Sequence, residues 1–311
     1  MTRLILLLLP LCLAAPAQAG VGQTAAPTLR RPLAARPVGM GEAFTAVEGG
    51  QASLGYNPAA LARMARPELL TTYIQGIAED SFSFLGYSHP LPLATVTGGV
   101  LFYDGGKIDV NLSNGVRETR NAQRDMAALG GLSLRLPFGL AAGATAKVYR
   151  LELAGEAKTT GYAADLGALW KTPLAGLNVG ASLLNAGPDV RFEQEADPLP
   201  LTTRLGAAYE FSASETGWLQ QNGFSMSRFL ITTDAVSVRN DSPALAAGCE
   251  MGMALSERIS TALRFGYIFG QENQNLTLGL GLKDGRFLLD YAMGVMKTTP
   301  HAHHVSLGVQ F

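Results

Sequence analysis

The stretch Asn275–Leu282, NLTLGLGL, decides the fold. Leu276, Leu278, Leu280 and Leu282 fall at every second position, with Asn275, Thr277, Gly279 and Gly281 between them. Successive residues of an extended strand point to opposite faces, so this stretch has one apolar face and one small or polar face. The chain ends the same way. In VSLGVQF (305–311), Val305, Leu307, Val309 and Phe311 share a face opposite Ser306, Gly308 and Gln310. GYAADLGALW (161–170), CEMGMAL (249–255) and ISTALRFGYIF (259–269) repeat the pattern.

Strands are expected near 68–76, 81–89, 94–104, 125–136, 139–151, 159–171, 176–186, 201–211, 228–238, 243–255, 258–269, 274–282, 286–297 and 303–311. The count is even, as in bacterial single-chain outer-membrane barrels. Pro137–Gly139, Ser256–Arg258 and Lys283–Gly285 are tight turns, whereas 105–124, 187–200 and 298–302 are longer. Short turns on one rim and long loops on the other match that class. The long connection 212–227 falls on the short-turn side and has no explanation in the pattern.

The remaining composition narrows the class. Lys and Arg number 24 against 25 Asp and Glu, so a nucleic-acid partner is not expected. Charged residues make up 16%, low for a soluble surface, and Gly reaches 36. Residues 1–19 read as an export signal: Arg3, an apolar run too short to span a bilayer, then Ala17-Gln18-Ala19. Cleavage near Ala19 would remove Cys12 and leave Cys249 alone, so no internal disulfide is expected.

A soluble sandwich also buries one face of every strand. Four features favour a bilayer around a closed barrel. The face opposite the leucines is mostly Gly, Ala, Ser and Thr rather than Lys and Glu. Tyr162 and Trp170 stand eight residues apart, about 27 Å along a strand and ~20 Å along the normal at a 40° tilt, close to an apolar band of ~25 Å. Closure leaves no unpaired edge for lipid to penalise. Finally, an exported chain ending in Phe311 on an alternating strand carries what resembles the signal read by the outer-membrane assembly machinery. The fold expected is therefore all-β: a 14-stranded antiparallel transmembrane barrel over 67–311, with residues 20–66 as a hatch inside it. The location expected is the bacterial outer membrane, among lipid and lipopolysaccharide.

Residues 20–66 lack alternation and are rich in Pro, Arg, Ala and Gly. Gly39 and Gly41 flank Met40 and permit a tight turn or close approach to a wall. Asn57-Pro58-Ala59 reads as a helix start, with Asn as N-cap and Pro at the first helical position. Phe44, Val47, Leu54 and Tyr56 are candidates to line an apolar ligand pocket, or to pack on the barrel wall.

The run RPVGMGEAFTAVEGGQASLGYNPAALARM (36–64) resembles the N-terminal signature of FadL-like outer-membrane proteins, and more closely that of the PorV/PorQ group, at Gly39–Gly41, Ala43–Val47 and Asn57–Ala59. The segments 82–92, 161–188 and 195–211 are also similar to that group. The resemblance implies a hatch-plugged fourteen-stranded barrel. It implies uptake of hydrophobic molecules if the chain follows FadL, or holding of a secreted protein partner in a type IX-like system if it follows PorV. Glu42 and Glu48–Gly50 depart from that pattern.

Arg135, Lys147, Asp165, Arg204, Asp234, Glu250, Arg264 and Asp290 fall on the lumen face. They read either as a paired network that seals the hatch or as a polar path for a solute. His301, His303 and His304 cluster without a nearby Asp, Glu or Cys and read as loop rather than metal site. No G-x-S-x-G motif appears, and neither enzyme activity nor a cofactor is expected. A transport protein should show an apolar cavity between hatch and wall and a kinked or incomplete strand. A docking protein should show an apolar groove at the loop rim around 105–124 and 187–200.

Overall fold

The computed structural model describes residues 24–76, 80–111, 117–192, 195–212, 225–270, 274–296 and 301–311. Fourteen strands close into one antiparallel barrel. In chain order these are β1 (Glu68–Gln75), β2 (Ser81–Pro90), β3 (Ala94–Asp104), β6 (Gln123–Arg135), β7 (Leu140–Leu153), β8 (Ala157–Lys171), β9 (Leu177–Ala186), β12 (Thr202–Phe211), β13 (Ser225–Val238), β14 (Ala244–Ala254), β15 (Ile259–Phe269), β16 (Gln274–Asp284), β17 (Phe287–Met296) and β18 (Ala302–Gln310). Closure joins β1 to β18, from Glu68 opposite Gln310 to Gln75 opposite His303. Every expected strand is present, with ends moved by a few residues.

Two short hairpins were not expected. They are β4 (Lys107–Asn111) with β5 (Arg117–Asn121), and β10 (Val190–Phe192) with β11 (Glu195–Asp197). Both lie in the long connections read as loops. At three to five residues each, their strands are too short for alternation to mark them. The export-signal residues 1–19 and most of the 212–227 connection lie outside the described residues.

The period-two pattern sorts the faces as the sequence requires. In β8, Ala163, Asp165 and Leu169 are buried, whereas Tyr162, Leu166 and Trp170 are exposed. Leu85, Val100, Ala128, Val148 and Tyr162 stand opposite one another across five neighbouring strands. The four large ones are 46%, 52%, 58% and 65% exposed in that order. Soluble monomers rarely expose a continuous apolar patch beyond a few hundred Å², and this one continues round the barrel through Phe265, Leu280 and Leu307.

One wall irregularity matters for the interior. Ala164 of β8 pairs with Ala186 of β9, but Leu166 pairs with Leu183, so β9 carries one extra residue opposite Asp165. Asn185 sits in the bulge with φ 59°, a left-handed conformation that Asn tolerates better than most residues. Leu184 and Asn185 are consequently both buried.

The β10–β11 hairpin folds inward at the long-loop rim. Val190 and Leu199 are buried in the same cluster as Ala25, Tyr149, Leu151 and Ala163. The β4–β5 hairpin carries Lys107, Asp109, Arg117, Glu118 and Arg120, with Asp109–Arg117 and Glu118–Arg120 ion pairs. The apolar residues of the 187–200 connection therefore face the lumen, and the other hairpin is charged.

Candidate functional site

Residues 24–64 occupy the lumen and run from the long-loop rim to the short-turn rim. At the entry, the Ala25 amide donates to the Pro198 carbonyl at 2.9 Å. Thr28 hydrogen-bonds Asp125, and Arg31 pairs with Asp80 at 3.1 Å while lying 4.1 Å over the Tyr103 ring. Deeper, the Ala35 amide donates to Ser306 Oγ at 2.8 Å. This starts the short helix α1 (Ala35–Gly39), which packs against β15, β16, β17 and β18.

Arg36 of α1 reaches Glu250 of β14 with two bonds of 2.8 Å. Glu250 also accepts from Arg264 at 2.6 Å, and Arg264 donates to Asp290 at 2.6 Å. Four charges from one internal helix and three strands thus form one chain. Asp234 makes a second anchor. It accepts from the Phe44 and Thr45 amides at 3.1 Å each, from Thr45 Oγ1 at 2.6 Å and from Arg204 at 3.0 Å.

The Gly39-Met40-Gly41 turn lies directly on the wall. A Cβ on Gly39 would stand 2.9 Å from the Cα of Gly279, and the Gly41 amide donates to Thr277 Oγ1 at 2.9 Å. On the wall side, a Cβ on Gly266 would overlap the Gly41 amide, and one on Gly248 would overlap the Met40 carbonyl. Met40 itself is fully buried. These wall glycines are what let two backbones touch.

Asn57 caps the 3-10 helix Pro58–Arg63 by accepting from the Ala59 amide at 3.0 Å. Its amide group also donates to Thr45 O at 2.8 Å and Ala168 O at 2.9 Å, so one side chain ties helix, turn and wall together. Ser182 donates to the Tyr56 carbonyl and Ser133 to the Pro58 carbonyl, both at 2.6 Å. At the exit, Arg135 donates to the Ala62 carbonyl at 2.5 Å and the Met64 carbonyl at 3.0 Å.

The eight expected lumen charges are thus all engaged, since Lys147 pairs with Asp165 at 2.8 Å and donates to Asn185 of the bulge at 2.7 Å. Composition and spacing did not reveal Arg36, Thr45, Thr277, Ser306 or the wall glycines. Their signal was only membership of the small or polar strand face, or of the irregular segment.

A cavity of about 370 Å³ lies between this segment and the wall on the long-loop side. Its segment side carries Arg30, Arg31, Glu42 and Tyr56, and its wall side carries Leu184, Val236, Val238, Ala246 and Ile268, with Lys147 and Arg204. Arg30 pairs with Asp241 at 3.4 Å across the mouth. Burial lifts the Glu42 carboxyl above its usual range, with the Arg204 charge opposing.

Of the four candidate lining residues, Tyr56 borders this cavity and Leu54 borders a void of about 20 Å³. Phe44 and Val47 pack in the core, Phe44 with its ring 5.8 Å from that of Tyr56. The cavity is half polar, unlike the apolar pocket expected. Phe311 is exposed at the short-turn rim, its amide donating to the Pro67 carbonyl at 3.0 Å. His303 meets Tyr291 at 2.7 Å on the outer face and His304 is buried inside, so the three histidines do not converge.

Solved structures of hydrocarbon transporters share this fold. The toluene transporter TbuX of Ralstonia pickettii superposes with a TM-score of 0.55 at 13% identity, over 91% of this chain and 99% of that one. The toluene transporter TodX of Pseudomonas putida gives 0.56 at 13%, over 88% and 95%. A FadL homologue of Pseudomonas aeruginosa gives 0.56 at 10%, over 90% and 98%. These likenesses establish the shared fold. No protein-family model and no curated protein matches the sequence.

Proposed function

We propose that the chain is a non-catalytic outer-membrane barrel that passes small hydrophobic or amphipathic molecules inward by passive diffusion, in the manner of the FadL-like channels. The apolar outer band supports a bilayer location, because lipid removes the cost of exposing it to water. The export-signal reading and Phe311 support delivery there by the assembly machinery. The observation that carries the reading is the cavity between internal segment and wall, open toward the long-loop rim and lined on its wall side by Leu184, Val236, Val238, Ala246 and Ile268. A site of this size and mixed lining suits a small ligand. The PorV/PorQ-like docking role rests on sequence resemblance alone. Among the described residues of the 187–200 connection, Val190 and Leu199 turn inward, which does not favour the rim groove it would need.

The test is uptake of a labelled hydrophobic compound by intact Gram-negative cells producing the chain. Val236→Trp should fill the cavity and return uptake to that of cells without the chain. Unchanged uptake in this variant, with the barrel folded, would remove the transport reading.

A further inference from the structure

On the outer wall, beyond the aromatic end of the apolar band, β6, β7 and β8 present a basic cluster that the internal network does not use. Register places Met126, Arg150 and Thr160 in one row. The next row toward the long-loop rim is Asp104, Arg124, Glu152 and Lys158. The row on the other side of Arg150 ends in Val148 and Tyr162. Arg150 is exposed between buried Tyr149 and Leu151, so its side chain is on the outer face.

Arg124 is occupied by Asp104 at 3.5 Å, and Lys158 by Glu152 at 3.3 Å, all four at least partly exposed. Exposed pairs of this kind hold their partners weakly. Arg150 has no ion pair or hydrogen bond among the described residues. Its diagonal neighbours on the same face are Arg124, Lys158 and Tyr162, at roughly 7–8 Å between backbones, within reach of long side chains. Thr160 lies directly opposite and adds a hydroxyl.

Height along the strand identifies the occupant. Arg150 is level with Thr160, two residues beyond Tyr162, or about 5 Å further along the membrane normal at a 40° tilt. Aromatic girdles mark the edge of the hydrocarbon, so Arg150 stands at headgroup depth. Below it lie exposed Val148, Leu166 and Tyr162, a surface for acyl chains. An unpaired guanidinium above an apolar wall matches a phosphate above its acyl chains, and Arg binds phosphate in bidentate geometry.

We infer that Arg150, flanked by Arg124, Lys158 and Thr160, seats the phosphate of a lipid in the leaflet on the long-loop side. Acyl chains lie along Val148, Leu166 and Tyr162. Glu152 stands directly opposite Lys158 in the same row and limits affinity by holding that ammonium. The inference rests on the proposed membrane location. It adds a specific lipid contact at a surface distinct from the transport cavity.

Native mass spectrometry of the detergent-purified chain, titrated with bisphosphorylated lipid A or its dephosphorylated form, tests it. The phosphorylated lipid should be retained at least fivefold better. Arg150→Ala should abolish that preference and Lys158→Ala weaken it, whereas Glu152→Gln should strengthen it about two- to threefold. Arg228→Ala on β13 is the control and should change nothing. Equal retention of the two lipids, or an unaltered preference in Arg150→Ala, overturns the inference. Heat-modifiable migration on gels confirms that each variant is folded. A chain that stays monodisperse without detergent would refute the membrane reading itself, a different result from lost lipid preference.

Discussion

Arg36 of the internal helix and Glu250 of β14 meet in a bidentate ion pair, with both bonds at 2.8 Å. The two residues are 214 positions apart, and both are largely shielded from solvent. A buried pair of this kind is weak evidence for net stability, because desolvation offsets attraction. What it does fix is position: the segment cannot shift without stranding a charge. Glu250→Ala would leave both Arg36 and Arg264 without this partner. It should therefore destabilise the barrel by about 3–5 kcal/mol. Arg36→Ala leaves Glu250 paired with Arg264 and should cost clearly less. Denaturant unfolding of the vesicle-reconstituted protein reads both values, and equal losses would contradict the shared-partner arrangement.

Asn57 supports the opposite end of the same segment. Asn57→Ala removes a cap and two donated bonds, a loss of about 2–3 kcal/mol. Asn57→Asp keeps the cap acceptor but turns carboxylate oxygen toward the Thr45 and Ala168 carbonyls. It should therefore be no more stable than the alanine variant. Native-like stability in Asn57→Asp would show that the donated bonds carry no weight.

The barrel was legible in the sequence because strand side chains alternate strictly, and one apolar face per strand persists from Leu69 to Val309. The Asn57-Pro58 helix start was legible because capping is local. The interior was not. Gly266 and Gly279 read only as small residues on a strand, since the Gly39–Gly41 turn that lies on them is more than 220 residues away. Arg36 read as one of many arginines until Glu250 was placed beside it. The β4–β5 and β10–β11 hairpins escaped notice because strands of three to five residues are too short to establish a period. The mixed polarity of the cavity was hidden for a similar reason: Lys147, Arg204 and Glu42 come from two strands and a turn whose approach only the closed ring defines.

The wall glycines make the clearest contrast between position and composition. A methyl group on Gly266 would overlap the Gly41 amide, whereas the nearest atom to one on Gly98 is the Leu129 carbonyl oxygen at 3.7 Å. Gly266→Ala should push the turn off the wall, at a cost of about 3 kcal/mol or more. It should also open residues 24–64 to protease. Gly98→Ala should stay within about 0.5 kcal/mol of the parent. Matching proteolysis patterns for the two variants would mean that the turn does not rest on this strand.

Glu42 gives the internal segment a pH dependence of known sign. Burial favours its neutral form, so its folded value lies above the ordinary carboxyl range despite the Arg204 charge. A raised value means that the folded state binds the proton more tightly than the unfolded chain does. The associated stabilisation is complete below the unfolded carboxyl value of about 4.3 and is lost as pH rises through the folded value. Glu42→Gln keeps the neutral shape and the left-handed backbone at φ 60°. The variant should therefore melt at a higher temperature than the parent at pH 8, and the difference should vanish near pH 4. A constant difference across that range would mean that burial does not raise the Glu42 carboxyl above its ordinary range.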